Sequence, residues 1–414
     1  MALSILALES AHSIRFLYRH FLSSITDKSL NAFYYACSYA KVDYSRFMGV
    51  TASLALGLVP EKLQSQPVFL CIDDTMVPKS GKKFESVSKL FDHAAHNGPS
   101  YLNGHCFVSL MLCVPVWKDN RIVYLSVPLG YRMWQKNQSK LKLAASMVRQ
   151  AMPVFAPQKN VIILCDSWYA KKDLLCVVEE YPNLDVVCNA RCDSALYGLA
   201  PEPTGKRGRP AKRGKRLSLE NDFTLSGEKI GGYYIGVRRV LTNLFGQREV
   251  LAYVTAADPA NSSRRLFFST VFPEKMQIFC AWQEKEPLNQ TGVNWMKYIP
   301  LFCYSFRWNI EVSYYEQKMF WSLCHYMVRS RKGIELLVNL VNITYCAMKI
   351  LPYQDTTFSK YRMESVQDFR FALSGKIREQ VFFTAFVKNA ESNIKSVTVI
   401  KALKQMVQQR GLYS

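Results

Sequence analysis

The chain has 414 residues, and 53 lysines and arginines against 32 acids leave a formal net charge of +21. Apolar residues make up 49%, enough for a large core, which excludes global disorder; the basic excess favours a nucleic acid or an anionic surface as partner. The longest apolar segment, residues 334–351, contains Glu335, Asn339 and Asn342 and reads as a buried helix, not a membrane span, and the N-terminus has no basic n-region and meets Glu9 early, unlike a secretory signal.

Residues 1–66 are expected to be a helical N-terminal region. Ile14, Leu17, Phe21 and Ile25 recur at helical spacing, with Arg15, Arg19 and His20 between them. Thr26-Asp27-Lys28 offers a cap for a second helix. This region is either a packing layer or a DNA-binding or dimerising unit.

At Pro67 the pattern changes. Val68-Phe69-Leu70-Cys71-Ile72 is a continuous apolar run of the kind found in a strand buried on both faces, and it ends on Asp73-Asp74-Thr75. Two adjacent acids at the end of a buried strand are costly unless a cation meets them. A polar loop follows through Lys79, Gly81, Lys82 and Lys83, and residues 93–104 read as a second loop in which His93 and His96 are polar loop residues. Strands are expected over 107–117 and 122–129, joined at Lys118-Asp119-Asn120. An amphipathic helix over 139–155 leads to a second buried run, Val161-Ile162-Ile163-Leu164-Cys165, which also ends on an acid, Asp166. A helix over 171–181 and a strand over 186–189 complete the alternation. The expected fold class is therefore α/β, one mixed sheet flanked by helices. If the two acid-terminated strands are parallel neighbours, their carboxyl ends share the rim where open α/β sheets bind ligands.

Residues 193–295 read as a β-rich insertion, with strand-like stretches at 233–241, 249–254 and 266–270 and a basic loop at 205–216. Within that loop Arg207-Gly208-Arg209-Pro210 is the AT-hook tetrapeptide, which inserts arginines into a narrow A·T minor groove. The alternative is a solvated loop in which Arg207, Arg209, Lys212 and Arg213 only track phosphates. Residues 67–192 and 296–350 then form the two parts of the core, and 351–414 a helical C-terminal region. The 12 cysteines show no paired pattern; they read as reduced thiols of a cytoplasmic protein.

The stretch Tyr304-Ser305-Phe306-Arg307-Trp308-Asn309-Ile310-Glu311, continuing to Lys318, reads as a helix. At about 100° per residue, Tyr304, Arg307, Glu311 and Lys318 fall within about 60° of one another. Asp73, Asp166 and Glu311 together make a three-carboxylate set suited to hard divalent cations, two of which can drive an in-line displacement at phosphorus. Blander readings stand beside these: Asp166 as a helix cap, Glu311 as a surface partner of Arg307, and Asp74 in place of Asp73 as the first acid. Strand alternation lets only one of the two aspartates reach the metals, and the Asp-x-Thr spacing favours Asp73. Trp168 and Trp308 are core residues or stacking platforms for a base.

The spacing Tyr304, Arg307, Glu311, Lys318 resembles the "YREK" signature of DDE transposases in the insertion-sequence-4 superfamily, and Ile72-Asp73-Asp74-Thr75 and Cys165-Asp166-Ser167-Trp168-Tyr169 look like that family's first- and second-acid regions. The resemblance covers roughly residues 67–350. It implies a ribonuclease-H-like core interrupted by the β-rich insertion, with Asp73, Asp166 and Glu311 as catalytic metal ligands for two Mg²⁺ ions, which Mn²⁺ can replace. It also implies cleavage of transposon ends and strand transfer into target DNA, with Tyr304, Arg307 and Lys318 on the end strand. The expected partners are double-stranded DNA and a second copy of the chain on that DNA, with no membrane, in a bacterial-type nucleoid-associated setting.

Overall fold

The computed structural model describes residues 1–8, 13–81, 83–91, 101–202, 210–260, 263–276, 295–394 and 401. The N-terminal region is helical: α1 (Ala2–Ala7), α2 (Ile14–Leu17), a π turn into α3 (Ser23–Ile25), α4 (Leu30–Tyr39) and α5 (Tyr44–Leu56). The cap of α4 is Ser29, whose hydroxyl accepts from the Ala32 amide, and not the expected Thr26-Asp27-Lys28. Asp43 caps α5 in the same way, accepting from the Arg46 amide.

The apolar runs then build a sheet. β1 (Val68–Pro78), β2 (Ser88–Phe91), β3 (Tyr101–Lys118) and β4 (Arg121–Met133) come first. Residues 101–104, expected as loop, instead begin β3, where they pair with β2; His93 and His96 lie outside the described residues. The β3–β4 turn uses Asp119 and Asn120 at φ of 49° and 60°, the left-handed pair of a two-residue hairpin that these side chains tolerate. α6 (Lys140–Ala151), capped by Ser139, leads to β5 (Val161–Cys165); α7 (Lys172–Leu175), shorter than expected and continued as a 3₁₀ turn, leads to β6 (Leu184–Ala190). β1 pairs antiparallel with β3 and β3 with β4, while β5 lies parallel to β1 and β6 parallel to β5. The spatial order β4-β3-β1-β5-β6 is the ribonuclease-H-like mixed sheet.

The β-rich segment continues this sheet. β7 (Leu196–Tyr197), β8 (Arg216–Leu217), β9 (Tyr234–Thr242), β10 (Val250–Ala256) and β11 (Arg265–Ser269) extend it in the order β6-β11-β10-β9-β7-β8, with β11 antiparallel to β6.

Alternation along the strands separates two layers. Val68, Leu70 and Ile72 of β1 and Val161, Ile163 and Cys165 of β5 join the core under α5 and α6. Phe69 and Cys71, with Ile162 and Leu164, join the core on the opposite face, under the C-terminal helices. Those helices are α8 (Ile299–Cys303), α9 (Trp308–Phe320), α10 (Arg331–Gln354) and α11 (Val366–Ile394), with a 3₁₀ turn over Tyr304–Arg307 before α9.

α10 is long and apolar enough to cross a membrane by length and composition, but it is largely buried inside the protein. The polar residues that interrupt it explain its place. β3 runs between β1 and β4, so among the described residues the far edge of β4 has no strand partner. Glu335, Asn339 and Asn342, one α10 face at i, i+4 and i+7, satisfy that edge. Asn339 accepts from the Tyr131 amide at 2.9 Å and donates to the Tyr131 carbonyl at 3.0 Å; Asn342 donates to the Pro128 carbonyl at 3.0 Å; Glu335 accepts from the Met133 amide at 3.3 Å. A side-chain amide thus stands in for a neighbouring strand and closes the edge. The helix comes close at a bulge, where Leu110 and Met111 face Gly130 and Pro128; a Cβ on Gly130, at φ +153°, would lie 3.2 Å from Asn339 Oδ1.

Candidate active site

Asp73 and Asp166 follow from strand geometry. β1 and β5 are parallel neighbours, and Ile72 pairs with Cys165, so the same register sets the next residues, Asp73 and Asp166, side by side. Since Ile72 and Cys165 belong to the α5–α6 layer, alternation turns Asp73 toward the layer of α9. The contacts agree: Arg307 Nη1 lies 3.2 Å from Asp73 Oδ2, and Arg307 Nη2 lies 2.6 Å from Glu311 Oε1. Asp166 Oδ1 accepts from the Trp168 and Tyr169 amides at 3.0 and 3.1 Å, so it does cap the turn after β5 while also lining the cleft it shares with Asp73 and Glu311.

Asp74 faces the other way. Its Oδ2 lies 2.8 Å from Lys140 Nζ and accepts from Cys106 Sγ at 3.0 Å, and its Oδ1 accepts from the Tyr169 hydroxyl at 2.9 Å. Lys140 and Tyr169 were not singled out from the sequence. One signal existed: Lys140 stands in the first turn of α6, where the helix dipole disfavours a cation, and an acid nearby resolves that cost. The cleft wraps around the strand end, so both aspartates line it. It holds about 810 Å³ and is bounded further by Lys89, Trp134, Trp168 and Lys171.

Electrostatics marks Asp73. Burial, then repulsion from Asp166 and Asp74, pushes the Asp73 carboxyl up to about 8, against the pull of the Asp74 amide and Arg307. Burial, then the Asp74 and Asp73 charges, keeps the Tyr169 phenol protonated, so it acts as a donor.

Of the four signature positions, Tyr304, Arg307 and Glu311 lie together, with the Arg307 guanidinium 5.6 Å from the Tyr304 ring centroid and bonded to Glu311, while Lys318 lies further along α9. Tyr304 to Arg307 is a 3₁₀ turn, which changes the rotation per residue that the helical stripe assumed. The Tyr304 ring packs edge-on against Phe267 at 5.1 Å and lines an adjacent apolar pocket with Phe302 and Ile230. Lys318 is half-buried, two turns and about 10 Å of helix rise beyond Glu311. Trp308 is 59% exposed, and Trp168 is half-buried on the cleft wall. Of the basic loop, Arg207 and Arg209 lie outside the described residues. Arg213 stacks on Tyr197 at 4.3 Å and donates to Asn243 Oδ1 at 2.8 Å, and Lys212 is exposed.

The donor set is suited to a hard divalent cation: all oxygen, with carboxylates crowded enough to raise Asp73. Arg307 supplies positive charge between Asp73 and Glu311 instead. Among the described residues, no group of three or more His, Cys, Asp or Glu side chains stands ready as a ligand set. All cysteines among the described residues are free thiols.

Residues 29–229 match the family model described as DDE superfamily endonuclease. The matched stretch contains both acid-terminated strands and ends before α9 and Glu311. Over it, the chain is similar to nucleases of the DDE type, which use divalent metals and act on DNA. No curated protein matches the chain.

Proposed function

We propose that this chain is a DDE transposase of the insertion-sequence-4 kind, which cuts DNA at element ends and joins them to a target. The observation that carries this reading is the convergence of Asp73 and Asp166, at the ends of adjacent parallel strands, on the sheet face that α9 covers with Glu311. That is the arrangement the YREK resemblance calls for, and the family match over residues 29–229 supports its first two acids.

In this reading Asp73, Asp166 and Glu311 hold Mg²⁺. Bound metal would lower the pKa of the attacking water or hydroxyl and steady the leaving oxygen. The chain's own residues do the rest. The Trp168 and Tyr169 amides fix Asp166. Lys140 and Tyr169 hold Asp74 to the other side of β1, which supports Asp73 as the first acid. Arg307 keeps Asp73 and Glu311 together in the free protein and transfers to a DNA phosphate in the complex, a geometry for which the guanidinium fork is suited. Tyr304, Lys318, Lys212 and Arg213 would contact DNA outside the acid cleft, with Arg207 and Arg209 extending the basic loop, and joining two ends calls for two copies of the chain.

The test is strand cleavage in Mg²⁺ of DNA carrying the inverted repeats that flank the reading frame. Wild type cuts at the repeat ends, and Glu311→Ala does not. Equal cutting by both overturns the proposal.

A further inference from the structure

Three polar side chains stand in a row across the sheet on the face that α9 covers. Asp73 of β1 is opposite Ser109 of β3, and Ser109 is opposite Tyr131 of β4. Directly opposed residues of antiparallel strands point the same way, with Cβ atoms about 5 Å apart. The carboxylate, the hydroxyl and the phenol therefore share one aisle. α9 closes it with Tyr314, one turn beyond Glu311, and Gln317, one turn further. The rings of Tyr314 and Tyr131 lie 6.2 Å apart, and Gln317 Nε2 donates to Ser313 Oγ at 3.0 Å.

The aisle is buried and its polar atoms are not satisfied. Ser109, Tyr131, Tyr314 and Gln317 are all buried. Ser109 Oγ, both phenol oxygens and Gln317 Oε1 have no hydrogen-bond partner among the described residues. The groups are nevertheless neighbours. Burial, then the Asp73 charge, raises the Tyr314 phenol, with the Ser109 hydroxyl opposing them; burial raises the Tyr131 phenol, with Gln317 opposing it. A buried polar atom without a partner is costly, and a phenylalanine would fill the place of either tyrosine without that cost. Tyr131 and Gln317, at the far end of the row, can satisfy each other. Tyr314 and Ser109 stand at the end that meets Asp73.

That carboxylate has one anchor it can lose. Asp73 Oδ1 accepts from the Asp74 amide at 2.8 Å, while Oδ2 accepts from Arg307 at 3.2 Å, and Arg307 also serves Glu311. In the proposed reaction Arg307 transfers to a DNA phosphate, and Oδ2 then needs another donor on the α9 side.

We infer that Ser109 and Tyr314 are positioning residues for Asp73. As Arg307 leaves, the Tyr314 hydroxyl donates to Ser109 Oγ and the Ser109 hydroxyl donates to Asp73 Oδ2, so the carboxylate keeps its orientation in the cleft. The inference rests on the nuclease reading of the same cleft and names the residues that hold its first acid.

The test is a double-mutant cycle on the full chain, by urea unfolding without metal. With Arg307 present, Tyr314→Phe and Ser109→Ala should leave the folding equilibrium constant unchanged or raise it, because each removes a hydroxyl that has no bond to lose. In the Arg307→Ala background each should lower that constant about fivefold, the worth of one net hydrogen bond. A role in packing alone gives the same change in both backgrounds, and that result overturns the inference. Should Arg307→Ala fail to fold, Mn²⁺ titration followed by electron paramagnetic resonance decides. Tyr314→Phe should weaken Mn²⁺ binding about tenfold, as loss of a group that orients a metal ligand does, and equal affinity in wild type and Tyr314→Phe overturns the inference. The two readings separate in the cleavage assay. Mg²⁺-dependent cutting lost in Glu311→Ala, with equal effects of Tyr314→Phe in both backgrounds, keeps the nuclease and removes the positioning pair. A background-dependent effect without cutting by wild type keeps the hydroxyl pair on Asp73 and removes the nuclease.

Discussion

Arg307 Nη1 lies 3.2 Å from Asp73 Oδ2, and both side chains are mostly withdrawn from water, at 13% and 18% exposed. With Glu311 on its other nitrogen at 2.6 Å, the guanidinium is the internal counter-charge of the acid cleft. Replacing it with a neutral group leaves Asp73 and Glu311 without that counter-charge. Arg307→Gln should cost on the order of 2 kcal/mol of stability without metal, less than a fully buried pair would because Glu311 is partly solvated. Added Mg²⁺ should restore part of that loss. Urea unfolding of both proteins, with and without Mg²⁺, measures it; equal midpoints in the absence of metal contradict the role.

The raised carboxyl of Asp73 gives a pH dependence of definite sign. Its value moves from the usual 3.8 to about 8 in the folded protein. Between those values the folded chain holds a proton that the unfolded chain has released, so stability is highest below about pH 4 from this group and falls as pH rises toward 8. The melting temperature without divalent metal should therefore drop from pH 5 to pH 8, and Asp73→Asn should flatten the drop. Mg²⁺ should stabilise wild type at pH 8 and have little effect at pH 5. Thermal melts at the two pH values, with and without metal, are sufficient.

The two aspartates of β1 should separate by function. Asp73→Ala should abolish metal-dependent cleavage. Asp74→Ala should leave some activity but leave Lys140 without its carboxylate, a cost of about 2 kcal/mol for a charged hydrogen bond. Nicking assays and urea midpoints on both variants decide between them, and the opposite ranking in the nicking assay moves the first acid to Asp74.

Asn339 takes a strand's place beside Tyr131 at the edge that no strand among the described residues covers. Asn339→Ala strands a buried N–H and C=O, and at about 1–3 kcal/mol for each unsatisfied group it should lower stability by about 2–6 kcal/mol. Asn339→Asp should be nearly as damaging, because it keeps the acceptor and loses the donor. A loss under 1 kcal/mol in urea unfolding would mean that water takes over the edge.

Much of this was legible from sequence because the decisive features are local. Apolar runs ending on acids located β1 and β5, and the alternation of Ile72, Asp73 and Asp74 contained the opposite facing of the two aspartates. Three features were hidden. The helical wheel assumed a uniform α-helix from Tyr304 onward, but the first turn is 3₁₀, and the rotation there directs Tyr304 toward Phe267. The partners of Asp74 come from α6 and from the turn after β5, 66 and 95 residues away, and no local pattern announces a meeting at that distance. In sequence the asparagines of α10 are only breaks in an apolar run; their purpose depends on the outer edge of β4, which is a property of the sheet order.

The pairing of β11 with β6 has a mechanical consequence. Four strand-to-strand steps join β5 to β9 through β6, β11 and β10, and at about 4.8 Å per step they span about 19 Å. Each step is stitched by backbone hydrogen bonds, so the interval does not vary with side-chain motion. The exposed Arg238 and Arg239 of β9 are therefore held at a set distance from Asp166. Any duplex lying across the strands would be gripped about six base pairs from the acids, and the sheet would act as a ruler that spaces grip from cut.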